Sequence, residues 1–307
     1  MHKSILILSN KSSGSSALQR LLAQAADLKC VEKTRHFQNE SLYWTKAASV
    51  LGLPQVDMLD SEVPIPAEKA KADLTALLQE NLPNYHSPDD NQTLIVDGWR
   101  QLCEQYQPIF LEKSPHHLLQ SSALSLIVDC MEKLEGQIDF LLIGLVRNPM
   151  DVMYSAFRRW KTPPEKLQYE WLMAYENLRD LAMKLGDRNP NSPFNYQPNG
   201  RLVTIRYEDL ASSLTPLAPV FAFCETSPHA NAKSLNRNSL LKWQQDTFFG
   251  FMLAPEVLDL AQAYGYTAAE LLNTPSPLWP PYRHSLRSVH HSMQWAKAAY
   301  LRLKPPA

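Results

Sequence analysis

Ser4-Ile5-Leu6-Ile7-Leu8-Ser9-Asn10-Lys11-Ser12-Ser13-Gly14-Ser15-Ser16-Ala17-Leu18 is the stretch on which the fold turns. Ile5 to Leu8 form a short, unbroken apolar run that stops at a loop of small polar residues. Such a run suits a strand buried on both faces, as in a parallel sheet. After Gly14 the period changes, and Ala17, Leu18, Leu21, Leu22 and Ala25 recur at helical spacing. The first 26 residues therefore read strand, loop, helix. Ligands of open α/β sheets bind beyond the carboxyl ends of the strands, where this loop lies. The helix N-terminus offers an anion its unpaired N–H groups and a positive dipole end. Ser15 and Ser16 add hydroxyl donors and Lys11 adds charge. A Ser-rich loop with an ordinary helix cap has the same letters, so the loop alone leaves both readings open.

Further short apolar runs lie at Thr93–Val96, Ile109–Leu111, Phe140–Val146 and Leu202–Ile205. Helical patterns fall between them, around 40–52, 67–81, 117–134, 150–160 and 166–185. This alternation predicts an α/β fold: P-loop-like, three-layer α/β/α, with a central, mainly parallel sheet and helical insertions. Residues 53–66 and 187–200 are dense in turn formers and read as loops too short to separate domains. The expectation is a single domain over residues 1–307 with a basic helical extension at about 271–307. That extension carries Arg283, Arg287, Lys297, Arg302 and Lys304 and no Asp or Glu.

Composition narrows the function. With 45% hydrophobic and 20% charged residues among 307, the chain has the makings of a globular core. Thirty Lys and Arg against 31 Asp and Glu give a formal charge of −1, which argues against a nucleic-acid binder. The four cysteines, Cys30, Cys103, Cys130 and Cys224, form no C-x-x-C pair and read as reduced thiols. The apolar run at the N-terminus is too short for a signal peptide, and no stretch is long enough to span a bilayer. The protein is expected to be cytoplasmic, with no transmembrane segment and no metal. Peripheral membrane contact is left to the basic C-terminus.

The strand at Phe140–Val146 runs into Arg147-Asn148-Pro149-Met150-Asp151-Val152-Met153-Tyr154-Ser155. An Arg ends the strand and Pro149 opens a helix, a position where its missing N–H costs nothing. Arg147 and Ser155 are placed to grip one phosphate together, although each also suits a surface role. Gly14 is followed by Ser15-Ser16 rather than by the Lys of an ATP-binding loop, and no earlier Gly precedes it. A kinase is thereby disfavoured and kept as an alternative, beside a catalytically inactive nucleotide-binding protein.

Taken together, the loop and the strand-Val-Arg-Asn-Pro-x-Asp-x-x-x-Ser element resemble the sulfotransferase family, in its bacterial and membrane-type branch. The resemblance implies 3′-phosphoadenylyl sulfate (PAPS) as sulfuryl donor and a hydroxyl acceptor, on a small molecule, glycan or lipid. It implies that Lys11, Ser12, Ser13, Gly14, Ser15 and Ser16 hold the 5′-phosphosulfate. Arg147 and Ser155, with Arg159 one turn on, would hold the 3′-phosphate. Leu111-Glu112-Lys113-Ser114-Pro115 is similar to the family's Lys-x-Pro strand end and assigns Lys113 to the transferring sulfonate. Arg206-Tyr207-Glu208-Asp209-Leu210 matches a segment near the adenine and brings in Tyr207. Cys30-Val31-Glu32-Lys33-Thr34-Arg35 resembles a segment of tyrosylprotein sulfotransferases whose second Glu is the base; Lys33 stands there and Glu32 is retained.

Sulfuryl transfer needs in-line positioning, charge stabilisation and a base for the acceptor hydroxyl. The candidate bases are Glu32, His36, Glu40 and the pair His116-His117, with Glu32 leading and His116 its rival.

Overall fold

The computed structural model describes residues 1–26, 28–36, 38–186, 201–227 and 234–303. The predicted opening holds: strand β1 (His2–Ser9) and helix α1 (Ser15–Ala26) flank the small-residue loop. Helices α2 (Tyr43–Val50), α3 (Ala67–Asn81) and α4 (Asn91–Gln105) come before strand β2 (Ile109–Lys113). A 3₁₀ turn (His117–Leu119) and helix α5 (Ser121–Lys133) lead to strand β3 (Ile138–Val146). Helices α6 (Pro149–Trp160) and α7 (Pro164–Lys184) come next, and the loop expected at 187–200 lies outside the described residues. Strand β4 (Leu202–Arg206) is followed by α8 (Tyr207–Ser212), α9 (Ala218–Phe223), α10 (Pro255–Ala263), α11 (Ala268–Leu271) and α12 (Trp279–Leu303). Of the stretch expected as a helical extension, Trp279–Leu303 is helix α12, residues 272–278 are not helical, and Lys304 lies outside the described residues.

The four strands form one parallel sheet in the order β2-β1-β3-β4. Alternation along β1 explains the three layers. Ile5 and Ile7 pack with Leu18, Leu22, Leu210 and Val220 on one face. Leu6 and Leu8 pack with Trp44, Trp99, Leu178 and other residues of the larger cluster on the opposite face. The register then sets the site. Ile7 lies beside Lys113, Ser9 beside Leu145 and Val146 beside Arg206. The loop after β1, Lys113, Arg147 and Tyr207 therefore all emerge at the carboxyl end of the sheet.

One expected strand is wrong. Thr93–Val96 lies inside helix α4, where Leu94, Ile95, Gly98, Trp99, Leu102 and Cys103 are buried at helical spacing. Asp90 caps this helix by accepting the Thr93 N–H at 2.7 Å. A four-residue apolar window is too short to display a 3.6-residue period, so the run read as a strand. Helix α5 also starts later than the pattern around 117–134 suggested, because the 3₁₀ turn carries His117 into the core.

Candidate active site

A cavity of about 860 Å³ opens at the carboxyl end of the sheet. Its lining joins the loop after β1, the α6 face bearing Ser155 and Arg159, the segments at 36–40 and 59–62, and His116. Arg20, Arg147, Arg159 and Lys11 bring positive charge to the wall, and Glu40, Asp60 and Glu62 bring carboxylates. Of the candidate site residues, Lys11, Ser12, Gly14, Ser15, Ser16, Arg147, Ser155, Arg159 and His116 all line it.

The loop takes its shape from two left-handed residues, Ser12 at φ 62° and Gly14 at φ 91°. A Cβ on Gly14 would lie 2.4 Å from Cε2 of Tyr207, so glycine is needed for space as well as for conformation. Helix geometry leaves the N–H groups of Ser15 and Ser16 without intrahelical acceptors, whereas those of Ala17 and Leu18 donate to Gly14 O at 2.9 and 3.1 Å. Ser13 is different: its hydroxyl is buried against that of Tyr175, 3.1 Å away. Lys11 also turns aside. Its ammonium donates to the carbonyl oxygens of Leu59 and of Asp60, the latter at 3.1 Å. Burial lowers its pKa, against the pull of Glu170, Asp60 and Glu40.

Asn148 caps α6 by accepting the Met150 N–H at 2.8 Å, with Pro149 in the first turn. Ser155 and Arg159, four residues apart, share one helix face. Arg147 is nearly buried and donates from Nη1 to Ser12 O (3.0 Å) and from Nη2 to Ser239 O (2.9 Å). Its Nε is buried without a hydrogen-bond partner. The guanidinium lies over the Tyr207 ring, 4.7 Å from its centroid. Tyr207 does not itself line the cavity; it supports Gly14 and Arg147 from beneath and reaches the Ser239 hydroxyl at 3.1 Å.

The sulfotransferase family profile matches residues 4–226 of this chain. The chain belongs to the sulfotransferase family. No functionally curated protein matches the sequence. Among solved structures, it is similar to the sulfotransferase domain of the Synechococcus PCC 7002 olefin synthase, with a TM-score of 0.51 and 19% identity. That likeness covers 87% of this chain and 95% of the other. The sulfotransferase domain from the curacin biosynthetic pathway is similar too, with a TM-score of 0.52 and 19% identity over 87% and 99% of the two chains. At this identity the likeness establishes the α/β fold.

Within this sulfotransferase fold, the floor of the cavity is a buried charged cluster. Lys113, at the end of β2, donates to Glu40 Oε1 (2.7 Å) and to Ser16 Oγ (3.0 Å). Its side chain is fully covered, so Lys113 lies behind Ser16 and Glu40, which do line the cavity. Glu40 Oε2 is 3.5 Å from His36 Nδ1 and 3.6 Å from His116 Nδ1. Burial, then the nearby Lys11, His117, His36 and Lys113, hold the His116 pKa well below its ordinary 6.5. His116 is accordingly neutral at neutral pH.

Glu32 is not brought to this cavity. It lines a separate depression with Lys33, Asn81 and Tyr106, and its N–H donates to Asn81 Oδ1 at 3.2 Å. Of the two candidate carboxylates, it is Glu40 that lines the cavity, which the likeness at residues 30–35 did not favour. Arg20, Asp60 and His290 also line the cavity without having been singled out. Arg20 had a signal, lying one helical turn after Ser16; Asp60 and His290 had none in local sequence. Of the tryptophans, Trp44, Trp99 and Trp171 belong to the core, whereas Trp160 lines the cavity.

Proposed function

We propose that this chain transfers a sulfuryl group from PAPS to a hydroxyl acceptor and releases adenosine 3′,5′-bisphosphate (PAP). The observation that carries this reading is one cavity shared by the loop after β1, by Arg147, Ser155 and Arg159, and by Glu40 with Lys113 behind it. The loop and the start of α1 suit the 5′-phosphosulfate, with N–H groups and the hydroxyls of Ser15 and Ser16. Arg147, Ser155 and Arg159 suit the 3′-phosphate, Ser155 and Arg159 from one face of α6 and Arg147 from just past the end of β3. Tyr207 and Ser13 support this half rather than touch the donor.

Glu40 is the base in this reading. Its carboxylate accepts the proton of the acceptor hydroxyl; the acceptor oxygen bonds to sulfur and the bond from sulfur to the 5′-phosphate oxygen breaks. Ser16 Oγ accepts from Lys113, which leaves its O–H to donate to a sulfonate oxygen. Lys113 supplies its charge where negative charge develops.

The test is a thermal-shift titration with PAP and with ATP, followed by transfer of labelled sulfate from PAPS to a panel of phenols, sugars and lipid alcohols. Stabilisation by PAP with label appearing in an acceptor is the expected result. Stabilisation by ATP alone would transfer the site to the kinase reading; PAP binding without turnover on any acceptor or water would favour an inactive nucleotide binder.

The basic C-terminus is put to partial use inside the protein. Arg283 pairs with Glu165, and His290 lines the cavity. No helix among the described residues is long and apolar enough to cross a membrane.

A further inference from the structure

Glu112 is almost completely buried and does not line the cavity, yet it is the hub of a polar network directly behind the cavity floor. Its Oε1 accepts from Ser41 Oγ at 2.6 Å and from Ser114 Oγ at 2.5 Å. Its Oε2 is 3.4 Å from Nε2 of the fully buried His117, whose Nδ1 lies 2.9 Å from Thr45 Oγ1. Ser114 Oγ in turn accepts the Leu42 N–H at 3.0 Å. Ser41 follows Glu40 in the chain, and Ser114 follows Lys113. Both members of the floor ion pair are therefore tied, one residue along, to the same carboxylate.

The segment needs such a tie. Asn39 at φ 54° and Leu42 at φ 52° are left-handed and bracket Glu40. A non-glycine residue in that region is held only where its surroundings over-determine it, and a leucine is poorly suited to it. Burial pushes the Glu112 carboxyl up, but His117 and the two seryl hydroxyls outweigh it and leave the pKa below the ordinary value. A buried carboxylate kept ionised by partners on two different segments fixes those segments relative to each other.

We propose that Glu112 is a positioning residue which, through Ser41 and Ser114, staples the segment carrying Glu40 to the strand end carrying Lys113. The staple sets the geometry of the Glu40–Lys113 pair. Its consequence for the rate rests on the sulfuryl-transfer reading given above; its structural part does not.

Two variants separate the staple from simple burial. Glu112→Gln keeps one oxygen to accept from both hydroxyls, whereas the double variant Ser41→Ala/Ser114→Ala removes both hydroxyls and leaves the carboxylate. Amide exchange over residues 39–42 reads the staple directly and needs no donor. PAP affinity, and cleavage of PAPS with water as acceptor, read the consequence. In the double variant, exchange is expected to rise, PAPS cleavage to fall roughly tenfold or more, and PAP Kd to stay within about twofold. Glu112→Gln is expected to keep cleavage within about threefold of wild type. Unchanged exchange in the folded double variant overturns the proposal, as does a cleavage rate equal to wild type. A loss of PAP affinity in proportion to the loss of rate also overturns it, because the network would then be supporting the fold at large. A wild-type protein that neither binds PAP nor cleaves PAPS would instead sink the donor reading, and the exchange arm would still decide the staple.

Discussion

Arg147 commits both terminal nitrogens to backbone carbonyls on two segments, the loop after β1 and the turn at Ser239, and keeps a third nitrogen unpaired. It therefore shapes the site as well as offering it charge. Arg147→Ala is expected to weaken PAP binding by about 1.5–3 kcal/mol, roughly ten- to a hundredfold in Kd, as titration calorimetry would show. An unchanged Kd would remove Arg147 from the donor site. That Arg147, Ser155 and Arg159 lie together at the cavity was legible because a strand end, a helix-opening proline and helical spacing are all local signals. The choice between Glu32 and Glu40 was not local. Asn81 on α3 accepts the N–H groups of Glu32 and Lys33, while Lys113 on β2 takes hold of Glu40. Partners distant in the chain thus decide which carboxylate meets the cavity. Glu40→Gln is expected to abolish PAPS cleavage with PAP binding retained, and Glu32→Gln to leave both intact. The reverse outcome would return the base to Glu32. Loss of cleavage in His116→Asn instead, with an acid limb well below pH 6.5, would make His116 the base.

The elements were easiest to read where a period had room to show. Four of the expected strands are present, and the buried β1 and β3 stood out as unbroken apolar runs. Thr93–Val96 failed because its neighbours Gly98, Trp99 and Leu102 belong to the same helical stripe, which extends beyond a four-residue run. The loop wall at residues 59–62 had no period at all; its form comes from tertiary bonds. Lys11 donates to the carbonyls of Leu59 and Asp60, Glu170 on α7 accepts the Leu59 N–H, and Thr162 donates to Asp60 Oδ2 at 2.5 Å. Asp60 is left-handed at φ 49°. Lys11 thus links the loop after β1 to the 59–62 segment of the same cavity. Lys11→Met is expected to speed amide exchange across residues 58–62 while changing PAP Kd by less than about threefold. A large loss of PAP affinity with unaltered exchange would show that Lys11 leaves the wall to bind the donor.

Across the whole molecule, the ionisable groups buried around the cavity make stability depend on pH. Burial is the leading influence on Asp151 and on Glu170, and it raises each to about 7 from ordinary values of 3.8 and 4.5. Arg147 opposes the rise at Asp151; the Leu59 N–H and Lys11 oppose it at Glu170. Each native carboxyl therefore keeps its proton over a range in which the unfolded chain has lost it. Stability linked to these two groups is complete below the unfolded values and declines as pH rises toward about 7. Glu112 has the opposite sign, because its lowered pKa gives stability that is lost on acidification. Amide replacements separate the contributions, since Glu170→Gln still offers an oxygen to the Leu59 N–H and Asp151→Asn one to the Leu241 N–H. Neither amide has a proton to lose in this range. Each variant is expected to melt higher than wild type at about pH 8, with the advantage shrinking at about pH 5, where the wild-type carboxyls are largely protonated. Thermal unfolding of the three proteins at the two pH values measures this directly. A melting-temperature difference equal at both would show that these carboxyls are ionised throughout, held by Arg147 and Lys11 against their burial.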